Sequence, residues 1–178
     1  MTKTLVTFTL AGAVVLVLGA CGVDVHTDAD GSKTVNVASP FGSVNINTDV
    51  NPSKTGLPVY PGARLKQDGG DANSADVNVS GGGALGVKIV AAEMESQDAP
   101  QPIVDFYKRE MQKYGSVTEC RGEIDFDGRN ADHPVCKQDS RKREQQLVVG
   151  TSGEHRLVSV KPRGAGSEFA MVYIRTSN

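Results

Sequence analysis

The chain contains no tryptophan, and aromatic residues make up only 5% of its 178 residues. A core built from this composition must rely mostly on Val, Ile, Leu and Ala. Basic residues are not in excess either, because 19 Lys and Arg stand against 21 Asp and Glu. Domains that bind polyanions in a general way are usually strongly basic. The formal net charge of −2 therefore argues against a nucleic-acid partner.

The motifs of common catalytic and nucleotide sites are also missing. No Ser stands in a Gly-x-Ser-x-Gly nucleophile elbow. The triple glycine Gly81-Gly82-Gly83 lacks the Lys, the Ser or Thr and the following helix of a phosphate-binding loop. The strand-like sequence 84–92 follows it instead, and we expect Leu85 to Ala92 to be a well-buried strand. We therefore expect no nucleotide, no other cofactor and no enzymatic activity.

Acidic residues near the start of the chain do not form a calcium loop. An EF-hand needs acids at alternate positions, then Gly, then a Glu six residues later. With Gly31 as the glycine, His26 takes the first position and Val37 takes the place of the Glu. Turn-forming acids explain Asp24, Asp28 and Asp30 better, and no metal site is expected.

Residues 1–20 have the three parts of a secretory signal: an early cation at Lys3, an apolar run, and small residues at positions 19 and 20. The run from Leu5 to Ala20 is about 16 residues long, shorter than the ~20 that a bilayer-spanning helix needs. The pattern predicts a cleaved signal peptide over residues 1–20 and export of the remainder.

The stretch Leu18-Gly19-Ala20-Cys21 resembles the lipobox of bacterial lipoproteins. The resemblance implies cleavage before Cys21, a diacylglyceryl group on its thiol and a further acyl chain such as palmitate on the new amino group. Gly22 follows Cys21 where inner-membrane lipoproteins usually have Asp. If the source is Gram-negative, this implies an anchor in the outer membrane with the protein on its periplasmic face. An ordinary signal with an incidental Cys is the alternative.

Residues 21–56 look like a tether. Val23 and Val25, and then Val35 and Val37, alternate with polar residues around Asp30-Gly31, which is a hairpin signal. Phe41-Gly42-Ser43 separates the second pair from a third, Val44 and Ile46. A lone hairpin of short strands is marginal in water. We therefore expect a flexible tether of about 35 residues between the lipid and the folded domain. Its short strands would be ordered only if the tether docks on something, and a linker ends it at Gly56.

Residues 57–178 should form the globular domain. Its opening, Tyr60-Pro61-Gly62-Ala63, is similar to the start of uncharacterised secreted bacterial proteins, a resemblance that implies no known activity. Tyr60 is either an exposed binding aromatic or a residue packed under the sheet edge, and the second interpretation is favoured.

One amphipathic helix is predicted over about residues 100–114. Asp98 is a candidate cap, Pro100 or Pro102 suits the first turn, and Gly115 is placed to end the helix as a left-handed C-cap. Apolar residues recur there at helical spacing: Ile103, Val104, Tyr107, Met111 and Tyr114. One apolar stripe is typical of a helix that lies on a sheet.

Strands are expected around the helix, at 76–80, 116–120, 145–150, 156–161 and 169–175. The inward-facing candidates in the last three are Leu147, Val149, Leu157, Val158, Val160, Met171, Val172 and Ile174. The order of strands, one helix and more strands predicts an α+β fold with an antiparallel sheet of about five to six strands and the helix packed on one face.

Cys120 and Cys136 remain once Cys21 is acylated. An even pair at short spacing in an exported chain predicts a disulfide. A redox pair would favour Cys-x-x-Cys spacing. A metal site with His133 would lack a clear fourth ligand.

Three functions remain open from the sequence. The first is a membrane-anchored, non-catalytic binding or structural domain of the cell envelope. The second is an accessory or chaperone-like subunit that grips an envelope protein partner with a sheet edge or the Gly-rich loop. The third is a hydrolase that uses the loop with Asp132 and His133, near Asp125 and Asp127. The basic cluster Lys137, Arg141, Lys142 and Arg143 has two interpretations, a contact with anionic headgroups or glycans and a solvated loop, and the second is favoured.

Overall fold

The computed structural model describes residues 22–29, 31–68, 71–81, 85–125 and 134–177. Cys21 and the expected signal peptide lie outside these ranges. The helix, α1, spans Pro100–Met111. The strands are β1 (Gly22–Thr27), β2 (Lys33–Ser39), β3 (Gly42–Thr48), β4 (Arg64–Leu65), β5 (Gln67–Asp68), β6 (Asp71–Ala72), β7 (Ser74–Gly81), β8 (Gly86–Ser96), β9 (Thr118–Cys120), β10 (Gly122–Asp125), β11 (Val135–Gln138), β12 (Gln145–Thr151), β13 (Glu154–Arg163) and β14 (Gly166–Ser177).

Most of the strands form one antiparallel sheet. Its order is β1-β2-β3-β7-β8-β14-β13-β12-β9, and β4 pairs with β8 beside this path. Two further sheets have two strands each, β10 with β11 and β5 with β6. The predicted α+β class is confirmed, but the main sheet has 10 strands instead of five to six. Much of the difference comes from β1, β2 and β3, which join the sheet of the globular domain.

The segment predicted as a tether is therefore continuous with the rest of the sheet. Its short strands are present, and β3 pairs along β7 from Gly42 opposite Gly81 to Thr48 opposite Ala75. The short strands were expected to be ordered only if they docked, and the pairing of β3 with β7 provides that docking. The predicted boundary at residue 56 does not separate these strands from the sheet.

The helix begins where the prolines predicted. Pro100 occupies its first turn, but Ala99 is the N-cap and makes no side-chain cap hydrogen bond. The predicted cap, Asp98, instead accepts a hydrogen bond of 2.7 Å from the Tyr60 hydroxyl. The buried stripe matches the prediction at four positions: Ile103, Val104, Tyr107 and Met111.

The end of the helical segment differs from its prediction. A 3₁₀ turn, Gln112–Tyr114, continues from α1, and Gly115 follows with φ 136° and ψ −163°, outside the left-handed helical conformation of a C-cap. Tyr114 leaves the buried stripe and is 40% exposed. Its hydroxyl donates a 2.5 Å hydrogen bond to the Gly56 carbonyl oxygen.

The core lies between α1 and one face of β8, β14, β13 and β12. Tyr107 is central to it, with its ring centroid 5.6 Å from that of Phe169. Its hydroxyl donates to the Met171 sulfur at 3.3 Å and accepts from the Tyr60 backbone N–H at 3.2 Å. Burial raises the pKa of Tyr107, because the phenolate form would lose its hydration. The buried cluster comprises Leu57, Ala92, Met94, Ile103, Val104, Tyr107, Met111, Leu147, Val149, Val158, Val160, Phe169 and Met171.

Strand alternation divides the residues that were predicted to face inward. Leu147, Val149, Val158, Val160 and Met171 belong to this core. Leu157, Val172 and Ile174 lie on the opposite face, because neighbouring side chains on a strand point to opposite sides. They are only partly buried.

The predicted disulfide joins Cys120 and Cys136, with a Cα–Cα distance of 5.4 Å. It ties the edge strand β9 to β11 and thus holds the β10–β11 hairpin against the main sheet. No helix within the described ranges is long and apolar enough to cross a membrane.

Candidate functional site

The N-terminal half of the main sheet has one apolar and one polar face. Two rows of directly paired side chains cross five strands on the apolar side: Val23-Val37-Val44-Val79-Val87 and Val25-Val35-Ile46-Val77-Ile89. We call these residues the valine face. It is opposite to α1, since Val87 and Ile89 alternate with the core residues Val90, Ala92 and Met94 on β8.

Polar side chains on the other face bond to one another. Asn45 donates to Asn36, and Asn47 donates to Asn45 at 2.8 Å. Asn78 donates to Asp76 at 2.9 Å. The two faces explain why β1, β2, β3 and β7 alternate so regularly in sequence.

Large apolar side chains are exposed at one end of this half and along its edge strand β1, where Val25 is 63% exposed. Gly22 pairs with Ala38, and Gly42 pairs with Gly81, so the start of β1 lies at the same end as the β2–β3 and β7–β8 turns. Five residues at this end, which we call the apex, are exposed as follows: Phe41 84%, Val23 67%, Leu85 61%, Val79 40% and Val87 36%.

Sequence reasoning missed the apex. It treated Phe41 as part of a separator between strands and placed Leu85 at the start of a well-buried strand. That second prediction is wrong at Leu85 and Val87, although Val90 and Ala92 are buried. The available signal was the occurrence of large apolar residues in turns that contain no charge, residues 39–42 and 81–86. Turn tips normally carry small or polar side chains.

The apex turn is held in place by a close approach of two strands. Gly42 has φ 155°, and a Cβ atom at this position would overlap the backbone carbonyl oxygen of Ser80. The Ser43 and Ser80 hydroxyls lie 2.7 Å apart across the same pair of strands. Phe41 is therefore presented by a turn whose backbone is fixed against β7.

The predicted lipidation residue and the alternative catalytic loop lie outside the described residues. Cys21 is bonded to Gly22, the first residue of β1. Asp132 and His133 fall in the undescribed range 126–133. Asp125, the last described residue before this range, accepts a 2.9 Å hydrogen bond from the Lys137 ammonium group. This hydrogen bond raises the pKa of Lys137.

The remaining histidines are not brought together. His26 is on β1, where its Nε2 lies 3.1 Å from an Asp28 carboxylate oxygen in an exposed position. His155 is on β13, and five strands lie between β1 and β13 in the sheet order. Among residues that the structure describes, no group of three or more His, Cys, Asp or Glu could hold a metal ion.

Tyr60 is packed rather than displayed for binding. Its ring meets the Phe106 ring edge-on at a centroid distance of 5.3 Å. The hydrogen bond from its hydroxyl to Asp98 raises the pKa of Tyr60. This supports the interpretation of Tyr60 as a residue under the sheet edge.

The basic cluster after Cys136 is partly neutralised by its own neighbours. The Arg141 guanidinium lies 3.0 Å from the Asp139 carboxylate, and this contact lowers the pKa of Asp139. Both Arg141 and Lys142 are exposed. The arrangement is typical of a solvated loop.

A charge network that the sequence did not reveal joins four strands at the other end of the sheet. Glu168 contacts Lys161 at 2.8 Å and Lys66 at 3.4 Å, and the hydrogen bond from Lys161 lowers the pKa of Glu168. Nearby, Glu95 bonds both Arg64 and Arg163 beside a cavity of about 240 Å³. Because both arginines already bind Glu95, the cluster has the form of a structural ion-pair network.

Comparisons with known proteins identified no relative of this chain. No family model matches the chain, and searches of curated proteins and of solved structures found no match.

Proposed function

We propose that this protein is an exported lipoprotein of the bacterial cell envelope whose folded domain is non-catalytic and serves in binding or structure. The observation that carries the proposal is Leu18-Gly19-Ala20-Cys21 directly before Gly22. Two or three acyl chains on Cys21 would make the membrane attachment stable, whereas one chain holds a protein only weakly. If the source is Gram-negative, Gly22 favours the outer membrane, with the domain in the periplasm.

The disulfide supports export, because such bonds persist in oxidising compartments and are rare in the cytosol. The main sheet supports a binding or structural role, since its valine face offers an apolar surface and the described histidines are far apart. The hydrolase alternative gains no support, because Asp132 and His133 lie outside the described residues.

A Cys21→Ser variant expressed in a lipoprotein-processing bacterium tests the anchor. The wild-type chain should sediment with membranes after export and be released by detergent. The variant should be recovered in the soluble fraction, or as an unprocessed precursor that retains residues 1–20. A processed variant that stays with the membranes as completely as the wild type would contradict the lipid anchor.

An accessory subunit is the second candidate, and the edge strand β1 favours it. Among the strands that the structure describes, β1 pairs only with β2, and all six of its residues are exposed. Such an edge can accept a strand from another protein through backbone hydrogen bonds. Crosslinking in the native envelope from a photoreactive residue at Asp24 should capture one protein in this case, whereas the same probe at exposed Glu123 on β10 should not.

A further inference from the structure

The end of the sheet that carries the anchor also carries the most exposed apolar side chains. Phe41 lies in the β2–β3 turn next to the start of β1, and Leu85 lies in the β7–β8 turn at the same end of the sheet. Val23 is only two residues after Cys21. We infer that the apex inserts into the interface of the bilayer that holds the anchor. The sheet then stands on the membrane by its N-terminal end. The inference rests on the lipid anchor proposed above and adds a second, non-covalent contact.

The distance along the chain leaves little room for any other arrangement. Gly22 is already paired with Ala38, so a single peptide unit connects Cys21 to the sheet. One residue spans at most about 3.6 Å. Once acyl chains on Cys21 lie in the bilayer, the adjoining turn with Phe41 is held at the depth of the lipid headgroups.

The chemistry of the apex fits the boundary between headgroups and acyl chains. The turn sequences 39–42 and 81–86 contain no charged residue. The charged residues nearest to the turns, Asp24 on β1 and Lys88 on β8, each lie two residues, or about 7 Å, from the strand ends Gly22 and Gly86. Insertion of Phe41 and Leu85 would thus remove apolar surface from water without burying a charge.

The pattern of exposure distinguishes a bilayer from a second copy packed face to face. In such a dimer the centre of the valine face would be the buried core of the interface. The central residues Val35, Ile46, Val77 and Ile89 are already partly buried within the sheet, whereas the exposed apolar side chains belong to the turns and to the edge strand β1, where Val25 is 63% exposed. Exposed apolar surface therefore lies at the tip and along the edge strand that begins next to Cys21, and not at the centre of the face.

The contact should depend on apolar insertion and not on lipid charge. Basic segments near a membrane gain affinity from anionic lipids. Since the apex turns contain neither Lys nor Arg, insertion should be the same in neutral vesicles and in vesicles with anionic phosphatidylglycerol.

The absence of native tryptophan provides a clean probe. Phe41→Trp and, separately, Leu85→Trp are made in the lipidated full-length protein, which is purified from membranes and reconstituted in phosphatidylcholine vesicles with and without phosphatidylglycerol. Val135→Trp is the matched control, because Val135 is 53% exposed and lies on β11 near the opposite edge of the sheet. Intact mass first establishes that each variant carries the lipid.

Both apex variants should emit at shorter wavelength in vesicles than Val135→Trp does. Lipids brominated on the acyl chain should quench the apex tryptophans and leave the control unchanged. Apex emission equal to that of the control would overturn the inference while leaving the anchor intact. A blue shift without quenching by brominated lipid would overturn it in favour of a protein contact, such as a second copy. A shift confined to anionic vesicles would overturn apolar insertion, and protein without lipid on Cys21 would overturn the anchor itself.

Discussion

Gly22 pairs with Ala38 on the first rung of the β1–β2 ladder. If Cys21 is lipidated, this pairing means that no flexible linker separates the lipid from the folded domain. Many tethered domains can range over a distance set by the length and stiffness of their linker. In this chain the sheet begins one residue after Cys21, so an anchor at Cys21 would tie the orientation of the sheet on the membrane to the geometry of β1.

Loss of the disulfide should weaken the protein without abolishing its main sheet. We expect Cys120→Ser with Cys136→Ser to lower the free energy of unfolding by about 3 kcal/mol, the entropy of closing a loop of this length. The bond ties β9 to the β10–β11 hairpin, so the hairpin amides should exchange faster as well. Urea unfolding of the double variant and the parent, both carrying Cys21→Ser, measures the loss. Equal unfolding midpoints would show that the bond contributes nothing.

Gly42→Ala should destabilise the apex end of the sheet. The added methyl group would overlap the Ser80 carbonyl oxygen, and φ 155° is unfavourable for alanine. A cost of about 1–3 kcal/mol is expected from such overpacking. Gly22→Ala is the control, since a Cβ there meets nothing within 4 Å. Thermal unfolding of both variants in a Cys21→Ser background distinguishes them, and equal stabilities would show that β3 and β7 do not approach as closely as described.

Arg156→Lys should lower the free energy of unfolding by more than a conservative exchange normally does. The Arg156 guanidinium carbon lies 3.8 Å from the centroid of the Tyr114 ring and 5.0 Å from that of Tyr173. The side chain is 11% exposed. Lysine keeps the charge but loses the planar stacking, so the free energy of unfolding should fall by about 1–2 kcal/mol.

The control for Arg156→Lys is Arg163→Lys, because Arg163 is 52% exposed and pairs with Glu95 at the surface. Its effect should stay below about 1 kcal/mol, as is usual for exposed ion pairs. Chemical denaturation of the two variants measures both losses. If Arg163→Lys costs as much as Arg156→Lys, the stacking between Tyr114 and Tyr173 does not stabilise the fold.

Glu168 should contribute to acid sensitivity. The hydrogen bond from Lys161, followed by the contact with Lys66, lowers the pKa of Glu168 from its ordinary value of 4.5. A carboxyl group whose folded-state pKa is depressed contributes stability above its unfolded pKa, and this stability is lost as pH falls through the folded pKa. Glu168→Gln should therefore be less stable than the parent at neutral pH and lose less stability on acidification below pH 4.5.

The matched control for that titration is Glu123→Gln, at an exposed position on β10. Urea unfolding of the parent and both variants at a series of pH values from neutral to acid gives the three stability curves. The Glu123→Gln curve should follow the parent. A Glu168→Gln curve that also runs parallel to the parent through the acid range would contradict the role of Glu168.

The sequence was most informative where local periodicity and burial agree. Pro100 and the spacing from Ile103 to Met111 predicted α1, because one helical face packs on the sheet. Alternation predicted the strands, and the pairing of Cys120 with Cys136 followed from their number and spacing. The residue pattern also showed that Val23, Val25, Val35 and Val37 share a strand face.

The remainder depended on contacts between segments that are distant in sequence. Nothing local in β3 reveals that its partner is β7, so the size of the sheet was underestimated. Asp98 is of a residue type that often caps helices, yet its carboxylate accepts a hydrogen bond from the Tyr60 hydroxyl instead. Leu85 has the large apolar side chain that is typical of buried residues, but the β7–β8 turn places it at an exposed tip.

The mass of the mature N-terminus tests the central claim most directly. Lys33 is the first tryptic site after Cys21, so digestion of protein extracted from bacterial membranes should give a peptide spanning residues 21–33. We predict that this peptide begins at Cys21 and carries a diacylglyceryl group on the thiol, with or without a further acyl chain on its amino group. A mature chain with an unmodified Cys21 thiol, or one that begins at another residue, would contradict the lipid anchor and the membrane contact inferred from it.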